Sequence, residues 1–295
     1  MLKRAHYKRS LLPYLLVMPQ ILVTIIFFFW PAAKALVGAF FISDAFGQNS
    51  SFVWFDNFKI LLSSPEYWGS LKITFVFSAL TALLSLSAGL LLAVLANRLK
   101  SFKAAVQTLL IWPYAVAPAM AGMLWLFLFH PSYGMIGYFL NEVMKMGWNP
   151  ILNNQHALLL VIVASAWKQV SYNFIFFLSG LQSIPQSLIE AAAIDGASPT
   201  TRFWKIVFPL LSPTLFFLLV INLVYAIFDT FGVIHTTTQG GPGGSTNILV
   251  YKVYADGFVG LDLGSSAAQS VILMILTIVF TIIQFRYVEK KVQYL

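Results

Sequence analysis

Residues 187–209 read SLIEAAAIDGASPTTRFWKIVFP, from Ser187 to Pro209. This is a short polar, amphipathic island between two apolar runs, about 157–181 and 210–231. A helix needs about 20 apolar residues to cross the roughly 30 Å of a bilayer's hydrocarbon, and both neighbours have them. The island therefore reads as a connection at a membrane surface, the part of the chain best placed to touch something soluble.

Of the 295 residues, 59% are hydrophobic and 9% charged, against about a quarter charged in soluble domains. A water-exposed globule of this composition is excluded. The length allows six or seven crossings with short loops, and no large soluble domain. Six runs pass the length test: 11–30, 71–96, 106–129, 157–181, 210–231 and 265–287. The expected fold is an all-α polytopic membrane protein with six transmembrane helices. The chain has no cysteine, which removes disulfide frameworks, thiolate zinc sites and cysteine nucleophiles.

An even number of crossings places both termini on one side. Lys3, Arg4, Lys8 and Arg9 precede the first run, Arg98, Lys100 and Lys103 join the second to the third, Arg202 and Lys205 lie in the island, and Arg286, Lys290 and Lys291 follow the last. Those segments hold 12 of the 18 basic residues and only Glu190, Asp195 and Glu289 among the acidic ones. A bias of this size over short loops predicts that they face the cytoplasm. It also accounts for the net charge of +8 without nucleic acid as a partner. The expected organisation is a basic cytoplasmic tail at 1–10, a six-helix transmembrane domain at 11–287 that includes the loop 183–209, and a second cytoplasmic tail at 288–295.

The runs carry signals of their own. A basic start, an apolar stretch and Ala33-Lys34-Ala35 imitate a secretory signal with its cleavage site, but the apolar stretch is longer than the 7 to 15 residues of such signals, so an uncleaved span is expected. Ser78, Ala82, Ser85, Gly89, Ala93 and Ala96 recur at steps of four and three, a stripe of small side chains that permits close helix packing, inside this chain or against another. Pro113 and Pro118, in Trp112-Pro-Tyr-Ala-Val-Ala-Pro118, each free a backbone carbonyl. The outcome is a packing kink or a broken helix lining a path. Lys168 falls near the middle of the fourth run, where a basic residue costs about 2.5 to 3.5 kcal/mol. It needs a partner: a salt bridge to a residue such as Asp229, water in a vestibule, or an anionic cargo met together with Ser171, Tyr172, Asn173, Asn222 and Tyr225. His6, His130, His156 and His235 are far apart, with no carboxylate at metal-ligand spacing, and no cofactor is expected.

Inside the island, Ser183 and Gln186 have the spacing of a capping box and Pro185 suits a first helical turn. A helix is predicted through Leu188 to Ala193, ended by Gly196 in the left-handed conformation. Ser198 and Pro199 then start a second helix, expected to continue to Phe208, with Pro209 opening the fifth span. So short an element is marginal alone in water and calls for a surface to dock on.

Glu190-Ala191-Ala192, Asp195-Gly196-Ala197, Ile206 and Pro209 together resemble the EAA loop of ATP-binding-cassette (ABC) importer permeases. Thr238-Gln-Gly-Gly-Pro-Gly-Gly-Ser-Thr246 and the Tyr251–Phe258 segment resemble the outer loop of the carbohydrate-uptake type. The likeness extends over nearly the whole chain, through Trp167–Phe174 and Ala226–Phe231. Phe208 departs from it, standing where the family usually has Leu. The resemblance implies that Glu190, Ala191, Ala192, Asp195, Gly196, Ala197, Arg202, Ile206 and Pro209 dock an ATP-binding subunit dimer, and that Lys168, Tyr172, Asn173, Asn222 and Tyr225 border the substrate path. It also implies a second permease subunit, an extracytoplasmic substrate-binding protein, ATP hydrolysis on a partner rather than here, and residence in a bacterial inner membrane. Within the family the likeness leans toward importers of sn-glycerol 3-phosphate or glycerophosphodiesters, with sugar importers next. An ion-driven secondary transporter, the rival class, would show an internal repeat and more buried carboxylates. The glycine-rich run at 238–246 lacks the lysine of a phosphate-gripping loop.

Overall fold

The computed structural model describes residues 11–43, 50–99 and 101–288. The basic tail at 1–10, Lys100, and Glu289, Lys290 and Lys291 of the second tail lie outside the described residues. Among the described residues, five helices are long and apolar enough to cross a membrane: Leu12–Gly38 (α1), Pro65–Asn97 (α3), Asn154–Ser183 (α6), Ser212–Asp229 (α9) and Leu263–Arg286 (α12). Between α3 and α6 lie Lys103–Ala115 (α4) and Pro118–Phe129 (α5), apolar enough together to make a further span but bent by 101° at their junction. Shorter helices are Asp56–Ser63 (α2), Gln186–Ile194 (α7), a helical run at 199–210 (α8), Phe231–Thr237 (α10) and Leu249–Tyr254 (α11). Phe41–Ser43 (β1) pairs antiparallel with Ser50–Phe52 (β2) in a small hairpin after α1.

Several spans overshoot the apolar runs that announce them, because polar caps lengthen the helices. α3 starts at Pro65, with the Ser64 hydroxyl accepting from the Tyr67 amide. Asn153 accepts from Gln155 and His156 at the head of α6, and Asp262 accepts from Ser265 at the head of α12. Such oxygens satisfy the amides that a helix leaves open at its first turn. α1 runs through Ala33-Lys34-Ala35 to Gly38, and its spanning window buries no side chain.

α3 and α6 form the spine of the bundle. The small-residue stripe lies along α3 and is buried from Ser78 to Ala96, so it serves packing inside this chain. At Gly89 the approach is so close that an added Cβ would sit 2.6 Å from the Cβ of Asn173 and 3.2 Å from the Phe174 amide nitrogen. Just beside it, Asn173 and Asn222 exchange amide hydrogen bonds of 2.7 and 3.0 Å, and Ser85 Oγ donates to Asn222 Oδ1 at 2.7 Å. This buried knot ties α9 to α3 and α6. In hydrocarbon each such bond contributes about 0.6 to 2 kcal/mol. Phe77, Val161, Ile162, Ala226, Ile234, Ile248 and Tyr251 pack into one apolar cluster that carries the spine to α10 and α11.

At that end an ionic knot closes the fold. The buried Lys252 ammonium lies 2.9 Å from Glu66 Oε1 and 3.1 Å from Asp256 Oδ2, and Gln269 donates to the same Asp256 oxygen at 2.6 Å. α11 is thereby joined to the starts of α3 and α12. Burial pushes the Lys252 ammonium down, but its hydrogen bonds to Glu66 and Asp256 outweigh burial and hold it above the usual lysine value.

Two measurements check this packing. Gly89→Leu overpacks the α3–α6 seam and should destabilise the purified protein by about 1 to 3 kcal/mol, whereas Gly69→Ala, whose Cβ meets nothing within 4 Å, should leave the melting temperature equal or higher. Because the folded Lys252 value is raised, its contribution is complete below the unfolded lysine value of about 10.4 and disappears as pH climbs through the folded one. Thermal stability should therefore fall above that pH in the parent protein, and Lys252→Met should remove this component of the alkaline fall.

Candidate functional site

The junction of α4 and α5 follows from one residue type. Pro118 has no N–H, so the carbonyl of Tyr114, four residues earlier, loses its helical donor. The residue before a proline is also driven out of the α region, and Val116 and Ala117 are extended, with ψ of 130° and 141°. Pro113, by contrast, is accommodated within α4. The sequence left a packing kink and a broken helix open; the chain breaks here, and the break borders a cavity.

Lys168 supplies the missing donor. Its Nζ lies 3.1 Å from the Tyr114 carbonyl oxygen and 5.0 Å from the centre of the Tyr114 ring, a cation over an aromatic face. The ion pairs among the described residues are Lys145–Glu142, Lys252–Glu66 and Lys252–Asp256, so Lys168 is not bridged to Asp229. Both groups instead line one cavity of about 580 Å³, with Tyr114, Gln169, Tyr172, Tyr225 and the break residues 115–118. Asp229 is exposed to that space, while Lys168 is 8% exposed. Tyr172 packs on the Tyr114 ring at 5.6 Å between centroids, and the Tyr225 hydroxyl donates to the Ser165 carbonyl at 3.0 Å.

Of the residues expected beside a substrate path, Lys168, Tyr172 and Tyr225 are thus gathered on one cavity. Asn173 and Asn222 are not: they face each other in the buried knot. Tyr114 and Gln169 were not singled out from the sequence. The signal for Tyr114 was its place four residues before Pro118, and Gln169 carried none beyond its neighbour Lys168. The cavity presents a cation, a carboxylate and phenols inside an apolar bundle, equipment for holding a polar molecule of mixed charge.

A second candidate surface is α7 with α8. Gly196 has φ +83°, its amide donates to the Ala193 carbonyl at 3.1 Å, and the Ala197 amide donates to Ala192 at 2.9 Å. This is the paired closure of a Schellman motif with Gly at its left-handed position, as the spacing predicts. Ser198 then accepts from the Thr201 amide at 3.2 Å ahead of Pro199. Two expectations are corrected. The Ser183–Gln186 capping box does not form: Ser183 is the last residue of α6 and its hydroxyl turns back to the Gly180 carbonyl at 2.8 Å, while α7 starts after Pro185 with no side-chain cap. The fifth span does not open at Pro209, which lies inside the last turn of α8; α9 begins at Ser212.

Ile189, Phe203, Val207 and Leu210 seat this element on Leu90, Leu181, Ile184 and Leu211. Beyond that seat α7 buries no residue. Glu190, Ala191, Asp195 and Gly196 are exposed, while Ala192, Ala197, Arg202, Ile206 and Pro209 are half-buried. Ile194 is 88% exposed. A nine-residue helix with so little cover is marginal in water.

The family model described as "Binding-protein-dependent transport system inner membrane component" matches residues 85–294. The sn-glycerol-3-phosphate transport system permease protein UgpA of Rhizobium meliloti (strain 1021) is 59% identical over 293 residues, 99% of this chain and 100% of that protein. Its counterpart in Agrobacterium fabrum is 58% identical over 288 residues, 98% of each. Among solved structures, a bacterial ABC transporter involved in the import of the acidic polysaccharide alginate contains a chain of the same fold, with a TM-score of 0.83 over 96% of both chains at 23% identity.

The break and its cation are open to a direct check. Lys168→Met leaves the Tyr114 carbonyl without its donor and should lower stability by about 1 to 3 kcal/mol. Adding Pro118→Ala restores an N–H four residues after Tyr114, so the double variant should regain stability relative to Lys168→Met, read as melting temperature in detergent.

Proposed function

The chain belongs to the family of binding-protein-dependent transport system inner membrane components, and from that premise we propose that its cargo is sn-glycerol 3-phosphate, which it passes as one half of a two-subunit path. It is a multi-pass inner-membrane permease subunit of an ABC importer, and ATP hydrolysis belongs to a partner subunit. The observation that carries the cargo reading is Lys168: a lysine held in a polar cavity among apolar helices, in a chain 59% identical over its length to a glycerol-phosphate permease. Tyr172 and Tyr225 border the same passage. The phosphate exchanges with the Tyr114 carbonyl as the partner of Lys168, an ion replacing a neutral acceptor, which is the stronger charge-assisted bond.

In this reading the broken pair α4–α5 counts as one span and the chain crosses six times. Both termini, Arg98–Lys103 and the α7–α8 element then face the cytoplasm, in keeping with their basic residues. α7 and α8 form the coupling element. Its alanines keep the helix thin enough to enter a groove on an ATP-binding subunit, Ile194 provides an apolar tip, and Glu190 and Arg202 sit at the rim. Asn173 and Asn222 hold the helices that frame the path. The remaining partners are a second permease and a binding protein that delivers the cargo on the opposite side.

The cargo is tested by reconstituting the complex with its binding protein: ATPase activity should rise with glycerol 3-phosphate and not with a disaccharide, and the reverse result overturns the assignment. Gly196→Val places a β-branched residue at a positive φ. It should reduce recovery of the ATPase on co-purification while membrane insertion stays normal; full recovery would remove Gly196 from the docking element. Glu190→Lys reverses a charge at the rim, and uptake should fall by at least about tenfold at equal membrane abundance.

A further inference from the structure

The cavity beside the α4–α5 break holds two opposite charges that attract without forming a salt bridge, and the proposed cargo accounts for only one of them. Asp229 is exposed to the cavity and has neither an ion pair nor a side-chain hydrogen bond among the described residues, while the Lys168 ammonium on the same cavity is bonded to the Tyr114 carbonyl. A carboxylate within a spanning helix is costly and is kept where it faces a partner or a polar cavity. Structural duty does not explain it: α9 is tied to α3 and α6 through Asn222, Asn173 and Ser85, and to α6 also through the Tyr225 hydroxyl on Ser165. The next residue, Thr230, is buried and bonds back to the Ala226 carbonyl at 3.0 Å.

The charges dictate how a phosphorylated molecule must lie here. An ionised carboxylate only accepts hydrogen bonds and repels phosphate, so the phosphate has to occupy the Lys168 side of the cavity. What remains for Asp229 is a group that donates, and two neighbouring hydroxyls match the two oxygens of a carboxylate. We infer that Asp229 is a specificity-determining residue that accepts hydrogen bonds from the vicinal hydroxyls of the cargo while Lys168 holds its phosphate, so that the cavity selects hydroxylated phosphomonoesters over bare phosphate and over esters with fewer hydroxyls. This rests on the assignment of a polyol phosphate as cargo. It adds the direction in which that cargo lies and the residue that distinguishes it from other phosphates. Tyr114, Tyr172 and Tyr225 line the same cavity.

The test uses the complete importer, reconstituted with its own binding protein, and compares initial uptake of glycerol 3-phosphate with that of 3-hydroxypropyl phosphate, which lacks the middle hydroxyl. The same binding protein serves parent and variant, so its own preference cancels when their selectivity ratios are divided. Asp229→Ala should lower the preference for glycerol 3-phosphate by about tenfold, the equivalent of one charge-assisted hydrogen bond, and Asp229→Asn, with the same shape and one accepting oxygen left, should lie between. Both ratios equal to the parent's, in complexes recovered at normal yield, overturn the inference. Should Asp229→Ala fail to assemble, the ratio of the isosteric Asn variant decides alone. Failure of the cargo assignment looks different: the parent complex itself takes up no glycerol 3-phosphate.

Discussion

Backbone amides and carbonyls have no water to turn to inside a bilayer, and each one left unpaired costs several kcal/mol. The fold answers to that constraint wherever it departs from a plain helix. Pro118 breaks the helix and frees the Tyr114 carbonyl; the chain accepts the break because a lysine from α6 reaches the orphaned oxygen. The same lysine would be too costly in mid-membrane without such an acceptor and a polar cavity around it. Break, cation and cavity are therefore one feature seen from three sides. A polar space in the spanning region arises where the helix is interrupted.

The opposite balance governs α7 and α8. There the turn between the two helices is closed by Gly196 and Ser198, yet α7 opens without a side-chain cap and buries no residue. An apolar seat of a few residues holds the element to the bundle, and the rest stands clear. A spanning helix is secure in its bonds and its surroundings together; this element has its bonds and lacks its surroundings. A unit so incomplete would gain stability from any surface that covered it.

The spans and the Gly196 closure were legible in the sequence because each depends on local rules: length and apolarity for the spans, the left-handed tolerance of glycine for the turn. The break at Pro118 was half legible. Proline announces the loss of a bond, but whether the helix bends gently or folds by 101° depends on whether a distant donor such as Lys168 is at hand. The partnership of Asn173 with Asn222 joins residues 49 positions apart, and no spacing rule reports it, so both read as path residues from their places near Lys168 and in the fifth run. Ser183 misled for another reason. The apolar run of the fourth span fades near residue 181, but the helix continues to Ser183, and a hydroxyl still inside one helix cannot cap the next.

The ionic knot at Lys252 has a mechanical side. By joining the starts of α3 and α12 through α11, it makes that end of the bundle a rigid block, and the Asn173–Asn222 clasp stiffens the middle in the same way. Regular helix is absent at Val116-Ala117 and at Asp195–Ser198, two joints that neither tie crosses. One lies against the polar cavity and the other at the tip of the exposed element. With ties so disposed, a displacement at either joint would carry whole helices rather than single side chains.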